Sequence, residues 1–329
     1  MSAYDQILGH ENIISQLKNA VRTNHVSHAY IFSGEDGSGK MMLAKAFAEA
    51  LLCEEGGEEG CGICHHCKQI ASGNNPDLIC VSHEKANSIG VEDVREQLVE
   101  SMAIRPYNNG RKVYIIDEAE KMTVQAQNAI LKTIEEPPEY GVMIFLTNNS
   151  DLFLQTILSR CILYQLRPLR ESIVMEYLIT ECKLPEYQAK VCAAYAQGKL
   201  GKAKLLANSD DFNALKDSAM SLVKNIYSYD IVDLIDAVKQ VAEYKVNVTD
   251  YIDLLEMWYR DVLLFKVTKD PNGLIFSDEL NLIRQQASRS SYEGIEAIMH
   301  ACEVAKMRLK ANVNFDLAIE LMLLTIKEN

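Results

Sequence analysis

The sequence predicts an α/β fold, with a parallel sheet built around a phosphate-binding loop and an all-helical remainder. Three observations predict it: a glycine-rich loop between a strand and a helix at 34–41, an apolar strand closing on two carboxylates at 117 and 118, and helical periodicity throughout the chain after residue 166.

Residues 34–41 read Gly34-Glu35-Asp36-Gly37-Ser38-Gly39-Lys40-Met41, the P-loop pattern G-x-x-x-x-G-K-[ST] with methionine in the last place. Gly34, Gly37 and Gly39 allow backbone N–H groups to curl around phosphate oxygens, and Lys40 reaches the β and γ phosphates. The missing hydroxyl would coordinate Mg²⁺, a hard ion that binds oxygen and for which a thioether is a poor ligand. His28 to Ser33 reads as a buried strand entering the loop. Met42 to Leu52 reads as a helix leaving it, with Leu43, Phe47, Ala50 and Leu51 on one face. Strand, loop and helix in that order aim a helix N-terminus at an anion.

Cys53, Cys61, Cys64 and Cys67 follow, spaced C-x₇-C-x₂-C-x₂-C within an acidic glycine stretch. Two-residue gaps let thiolates converge on one ion, so structural Zn²⁺ is expected, with an iron–sulfur cluster or free thiols as the alternatives. His65 and His66 could substitute as ligands, but four cysteines suffice and both are expected at the surface. Cys80, Cys182, Cys192 and Cys302 read as small core residues.

Arg111 to Ile116 reads as a central strand that delivers Asp117 and Glu118 at its C-terminal edge. In P-loop ATPases the aspartate holds Mg²⁺ and the glutamate polarises water; the alternative is a strand before an acidic helix start. A helix over Val124 to Glu136 stops at Pro137-Pro138, and a further strand, Val142 to Leu146, leads to Asn148. Asn148 is placed to sense a γ-phosphate, or simply to end a strand. Arg160 ends a short helical stretch from Leu152 to Leu158. Its guanidinium suits phosphate, although a surface ion pair is the default for one arginine.

The chain has 329 residues, a net charge of −13 and a hydrophobic content of 48%. That balance argues against gripping nucleic acid alone through a large basic surface. No apolar run approaches the ~20 residues of a membrane span. The N-terminus lacks the features of a signal peptide, so a cytoplasmic protein without disulfides is expected. Internal repeats are absent.

Taken together, these residues resemble the AAA+ clamp-loader subunits of bacterial DNA polymerase III, of the delta-prime type. The most specific runs are Asn128-Ala129-Ile130-Leu131-Lys132-Thr133-Ile134-Glu135-Glu136-Pro137-Pro138 and Leu158-Ser159-Arg160-Cys161. His28-Ala29-Tyr30, Gly90 to Arg95 and Lys310 to Glu320 fit as well, so the resemblance spans nearly the whole chain. It implies an AAA+ P-loop domain at 1–166 with the four-cysteine zinc insertion at 53–67, a small helical lid at 167–207 and an all-helical collar for oligomerisation at 208–329.

Two departures separate the chain from the ATP-hydrolysing subunits of that family. One is Met41. The other is Gly201, where those subunits resemble G-S-L-R-D-A and carry a second-sensor arginine; Lys199 and Lys202 are the nearby cations. Both losses remove charge stabilisation from the transition state. The resemblance therefore implies a subunit with little or no ATPase of its own that supplies Arg160 in trans to a neighbour. Its partners would be gamma/tau-type and delta-type subunits and, through the complex, the sliding clamp and primed DNA, with no membrane. Because Lys40, Asp117 and Glu118 remain, either ATP or ADP is held structurally at 34–40 or these residues serve folding and contacts. An autonomous ATPase of the same fold and a zinc-based nucleic-acid binder are the competing readings.

In the remainder, Ser172 is a candidate cap for a helix over Glu171 to Leu178, and long helices run over Val248 to Val267 and Tyr292 to Lys310. Leu254, Trp258 and Leu321 are expected in a core or interface. Arg95, Arg105, Arg111 and Lys112 are the cations nearest the DNA-facing helices implied by the resemblance, with solvated surface as their default.

Overall fold

The computed structural model describes residues 3–83, 85, 87–107 and 110–329; Met1 and Ser2, at the start of the segment read for targeting signals, lie outside them. The chain forms two compact units, Met1–Ile173 with Gly198–Gly201, and Val174–Gln197 with Lys202–Asn329.

The first unit holds five parallel strands: β1 (Ala29–Ser33), β2 (Leu78–Val81), β3 (Lys112–Ile116), β4 (Gly141–Thr147) and β5 (Ile162–Gln165), in the order β2-β3-β4-β1-β5. Side chains alternate across the sheet, as a period of two requires. Tyr30, Phe32, Val113, Ile115, Val142, Ile144 and Leu146 form one core with α1 (Glu11–Arg22) and α2 (Lys40–Leu52). Ala29, Ile31, Tyr114, Ile116, Met143 and Phe145 form a second core on the opposite face. That core includes Val94 of α4 (Val91–Val94) and Ala126, Ile130 and Ile134 of α5 (Val124–Glu135); α3 (His65–Ala71) carries the last cysteine of the four. Burial on both faces explains why β1, β3 and β4 read as continuous apolar runs. This is the α/β P-loop fold the sequence predicts.

The order has a consequence for the site. β4 lies between β3 and β1, with Ser33 opposite Thr147 and Ile116 opposite Phe145. The ends that carry the loop, Asp117 and Asn148 therefore stand side by side, at the C-terminal edge where ligands of open α/β sheets bind.

Helix ends follow local chemistry. Thr123 caps α5 by accepting the Ala126 N–H at 3.2 Å. A single turn, α6 (Gln155–Leu158), precedes Arg160. In α7 (Glu171–Thr180), Ser172 is the second helical residue and not the cap, because the first turn already closes from Ile173 N–H to Arg170 O at 3.0 Å.

The second unit is helical: α8 (Glu186–Ala196), α9 (Leu200–Ala207, which begins in the first unit), α10 (Asp210–Asn225), α11 (Ile231–Glu243), α12 (Val248–Thr268), α13 (Leu280–Arg289), α14 (Tyr292–Lys310) and α15 (Phe315–Glu328). α12 packs against α10, α11, α13 and α14, and buries Tyr251, Leu254, Leu255, Trp258, Tyr259 and Val262. Several carboxylates along it have partners. Lys306 Nζ meets Asp253 at 3.0 Å and Glu256 at 2.8 Å, and the Tyr195 hydroxyl donates to Asp250. Of the three residues expected in a core or interface, Leu254 and Trp258 are buried in the core and Leu321 is 41% exposed on α15.

Among the described residues, no helix is long and apolar enough to cross a membrane.

Candidate functional site

The loop leaves β1 with the Gly34 N–H donating to Thr147 O at 3.0 Å. A side chain at Gly34 would place its Cβ 2.8 Å from Leu166 O, and Gly37 and Gly39 have φ of 76° and 93°, so glycine is needed at all three. Gly39 is the N-cap of α2, and Lys40 is its first residue.

Lys40 turns back into the loop. Its Nζ donates to Gly34 O at 2.5 Å, Glu35 O at 3.1 Å and Asn148 Oδ1 at 2.6 Å. Burial pulls the ammonium pKa below its ordinary value, against the raising effect of the Asp36, Glu120, Asp117 and Glu35 carboxylates. The structure thus brings Gly34, Lys40 and Asn148 together. Met41, the second residue of α2, is half-buried and packs against the core, so the position carries a thioether and no hydroxyl.

Asp117 and Glu118 stand at the end of β3. Asp117 Oδ1 accepts the Glu118 N–H at 2.9 Å, and Glu118 takes the left-handed conformation at φ 48°. The Glu118 carboxylate is 2.7 Å from Lys121 Nζ and 3.6 Å from His83 Nε2. The Lys121 hydrogen bond holds its pKa below the usual carboxylate range. Glu120 Oε2 accepts the Asn148 N–H at 3.3 Å and joins the two strand ends. Sequence reasoning missed Glu120, Lys121 and His83, because a lone acid or base off the motif carries no periodic signal.

The two cations near Gly201 differ. Lys199 Nζ pairs with Glu35 Oε2 of the loop at 2.5 Å. In the second unit, Lys202 lies over the Tyr195 ring at 4.3 Å.

Arg160 belongs to a different group. Its Nη2 is 3.1 Å from Glu135 Oε1, and its Nη1 donates to Thr156 O at 2.9 Å and Ser159 Oγ at 3.2 Å. The Arg160 side chain is 39% exposed.

The four cysteines converge, with their sulfurs all within 4.8 Å of one another, and can hold a metal ion. Backbone N–H groups point at the sulfurs: Cys61 to Cys53 Sγ at 3.4 Å, Cys64 to Cys61 Sγ at 3.2 Å and Cys67 to Cys64 Sγ at 3.4 Å. Donation from Ile63 and Cys64 brings the Cys61 thiol down to about 7. His65 is exposed, but His66 is buried. Its Nδ1–H donates to Leu52 O at 2.9 Å, and its Nε2 is 3.4 Å from Glu54, so both nitrogens are engaged away from the sulfurs.

Of the remaining cysteines assigned to the core, Cys192 and Cys302 are buried, but Cys182 is half-buried and Cys80 is exposed because β2 is an edge strand. Lys112 is no surface cation: it is buried, and its ammonium bonds Ser101 O at 2.8 Å.

Residues 9–170 match the family described as DNA polymerase III, delta subunit, and residues 212–328 match the one described as DNA polymerase III, delta subunit, C terminal. The chain belongs to the DNA polymerase III clamp-loader family. The delta' subunit of Bacillus subtilis is 29% identical over 320 residues, 96% of this chain and 95% of that protein. The tau subunit of the same organism is 26% identical and covers 96% of this chain but 60% of its own length. A solved DNA polymerase III gamma-subunit-related protein of Thermotoga maritima covers 95% of this chain and 99% of its own, at 20% identity and a TM-score of 0.41. The two family matches fall one in each compact unit of the chain.

Proposed function

We propose that this chain is the non-hydrolysing member of a DNA polymerase III clamp-loader complex, which helps place the sliding clamp on primed DNA in the cytoplasm. The observation that carries the reading is Met41. Its half-buried side chain packs against the core and offers a thioether at the position where a hydroxyl would hold Mg²⁺. Gly201 adds a second loss, because no cation projects from that position. Without those charges, the developing negative charge of phosphoryl transfer is poorly met. Lys40, Asp117, Glu118 and Asn148 keep the residue types of a nucleotide site, so ATP or ADP in this chain would serve structure and not turnover.

In this reading Arg160 is the chain's chemical contribution. More than a third of its side chain is open to solvent, and its partner Glu135 is itself exposed. That pair can be exchanged for a phosphate on a neighbouring gamma/tau-type subunit, where a planar fork of donors stabilises transition-state charge. The lid at 167–207 and the collar at 208–329 are part of the same proposal, the collar being the surface for other subunits.

The four-cysteine knuckle is assigned to structural Zn²⁺. Tetrahedral zinc with bonds of about 2.3 Å sets its sulfurs about 3.8 Å apart. The Cys61 and Cys67 sulfurs are 3.8 Å apart.

The deciding experiment is ATP turnover by the reconstituted complex with Arg160→Ala. Loss of one such arginine costs about 10³–10⁵ at its own site, diluted in bulk by the other sites. Assembly should be intact and DNA-stimulated turnover depressed. Unchanged turnover defeats the arginine's role, and brisk hydrolysis by the isolated chain, abolished by Lys40→Ala, defeats the whole reading.

A further inference from the structure

Residues 198–201 run against the phosphate loop and are built to stay there. Gly198 has a φ of +81°, and a Cβ on it would stand 2.3 Å from Leu169 O and 2.8 Å from Leu169 N. No side chain fits that approach. The Gly198 carbonyl accepts the Leu169 N–H at 3.0 Å, which pins the segment. From there Lys199 reaches Glu35 at 2.5 Å, and the Gly201 N–H points to Gly37 O at a long 3.4 Å. A Cβ at position 201 would already touch the loop, 3.4 Å from Gly37 Cα.

The loop's lysine is engaged as well. An ammonium has three N–H donors, and Lys40 has three acceptors within 3.1 Å: Gly34 O, Glu35 O and Asn148 Oδ1. Two of these belong to the loop whose phosphate the lysine would bind. Glu35 is therefore held from both sides, its carbonyl by Lys40 and its carboxylate by Lys199.

We propose that Gly198–Gly201 is an intramolecular latch that holds the phosphate loop in a self-bonded state, which a nucleotide must break to bind. The latch goes beyond the absence of catalytic groups. It sets how readily a phosphate enters, and it stands whether or not Arg160 acts on a neighbour.

The alternative role for Lys199 is that of a phosphate ligand, and the two roles differ in sign. Lys199→Met keeps the apolar stem and removes the charge. Two measurements on the full-length purified chain test it: calorimetric titration with Mg²⁺-ADP, and amide hydrogen exchange across residues 34–40 without nucleotide. The latch predicts faster exchange and ADP affinity raised by about two- to fivefold, the size of one part-exposed ion pair. Glu35→Gln should speed exchange equally, and the double variant no further, because both substitutions open the same contact. A fall in ADP affinity for Lys199→Met would make the lysine a ligand and overturn the latch. Unchanged exchange in both single variants would overturn it even if ADP does not bind at all.

Discussion

Asn148 Oδ1 accepts a hydrogen bond from Lys40 Nζ at 2.6 Å, tying the end of β4 to the first residue of α2. The contact makes the P-loop lysine a structural residue in the absence of ligand. Lys40→Met removes that donor from Gly34 O and Asn148 Oδ1 and leaves Glu35 O with the Ser38 N–H alone, at a cost of about 1–3 kcal/mol. Urea denaturation of the first unit, followed through its own probes, should show a lowered midpoint. An unmoved midpoint would mean the three bonds contribute nothing.

The same lysine sets a pH signature. Its pKa is lowered in the fold by burial. Between that folded value and the ordinary lysine value, the unfolded chain binds more protons than the folded one, so this group makes stability rise with pH across that alkaline window. The difference in stability between the wild type and Lys40→Met should therefore grow towards high pH. A difference that is flat, or that shrinks, contradicts the assignment.

Restoring the missing hydroxyl should not restore an ATPase. Met41→Thr returns one magnesium ligand, but Gly201 still lacks a cation and Glu118 stays paired with Lys121 and His83. Each missing donor or misdirected group costs on the order of 10²-fold in rate. Phosphate release by this variant alone should remain near background, with metal-dependent nucleotide binding as the only gain.

The chain's one tryptophan reports on the second unit. Trp258 Nε1–H donates to Gln286 Oε1 at 2.7 Å, and Gln286 Nε2–H donates to Val223 O at 2.8 Å, all of it buried. Gln286→Leu strands an indole donor and a backbone acceptor, costing about 1–3 kcal/mol. Tryptophan fluorescence during denaturation should show a lower midpoint. Equal midpoints would show that the pair is replaceable by apolar packing.

Removal of metal should act on the first unit. Elemental analysis is expected to find one ion per chain. Strong chelation should expose four of the nine thiols to reagent and leave the Trp258 signal unchanged. Reaction of Cys53, Cys61, Cys64 and Cys67 themselves before chelation would count against a bound ion.

Much of the fold was legible because buried strands and amphipathic helices repeat their chemistry at fixed intervals. The strand entering the loop, the helix leaving it and the helix Tyr292–Lys310 fall within two residues of where periodicity put them. Chemistry that depends on distant partners was not legible. Nothing near Glu35 announces Lys199, and nothing near Glu118 announces His83. His66 looked like a surface residue until the carbonyl of Leu52 gave it a partner, and Cys80 looked buried until β2 proved to be an edge. These are facts of topology, and local sequence does not encode them.

α2 carries Lys40 at its first residue and passes directly into Cys53 at its last, while His66 secures the carbonyl of Leu52. The helix is a splint with the phosphate grip mounted at one end and the sulfur knot at the other. Untying the knot would let that splint fray from its far end. A loop some thirteen residues away would then sit on a looser mount, although no atom of it ever meets the ion.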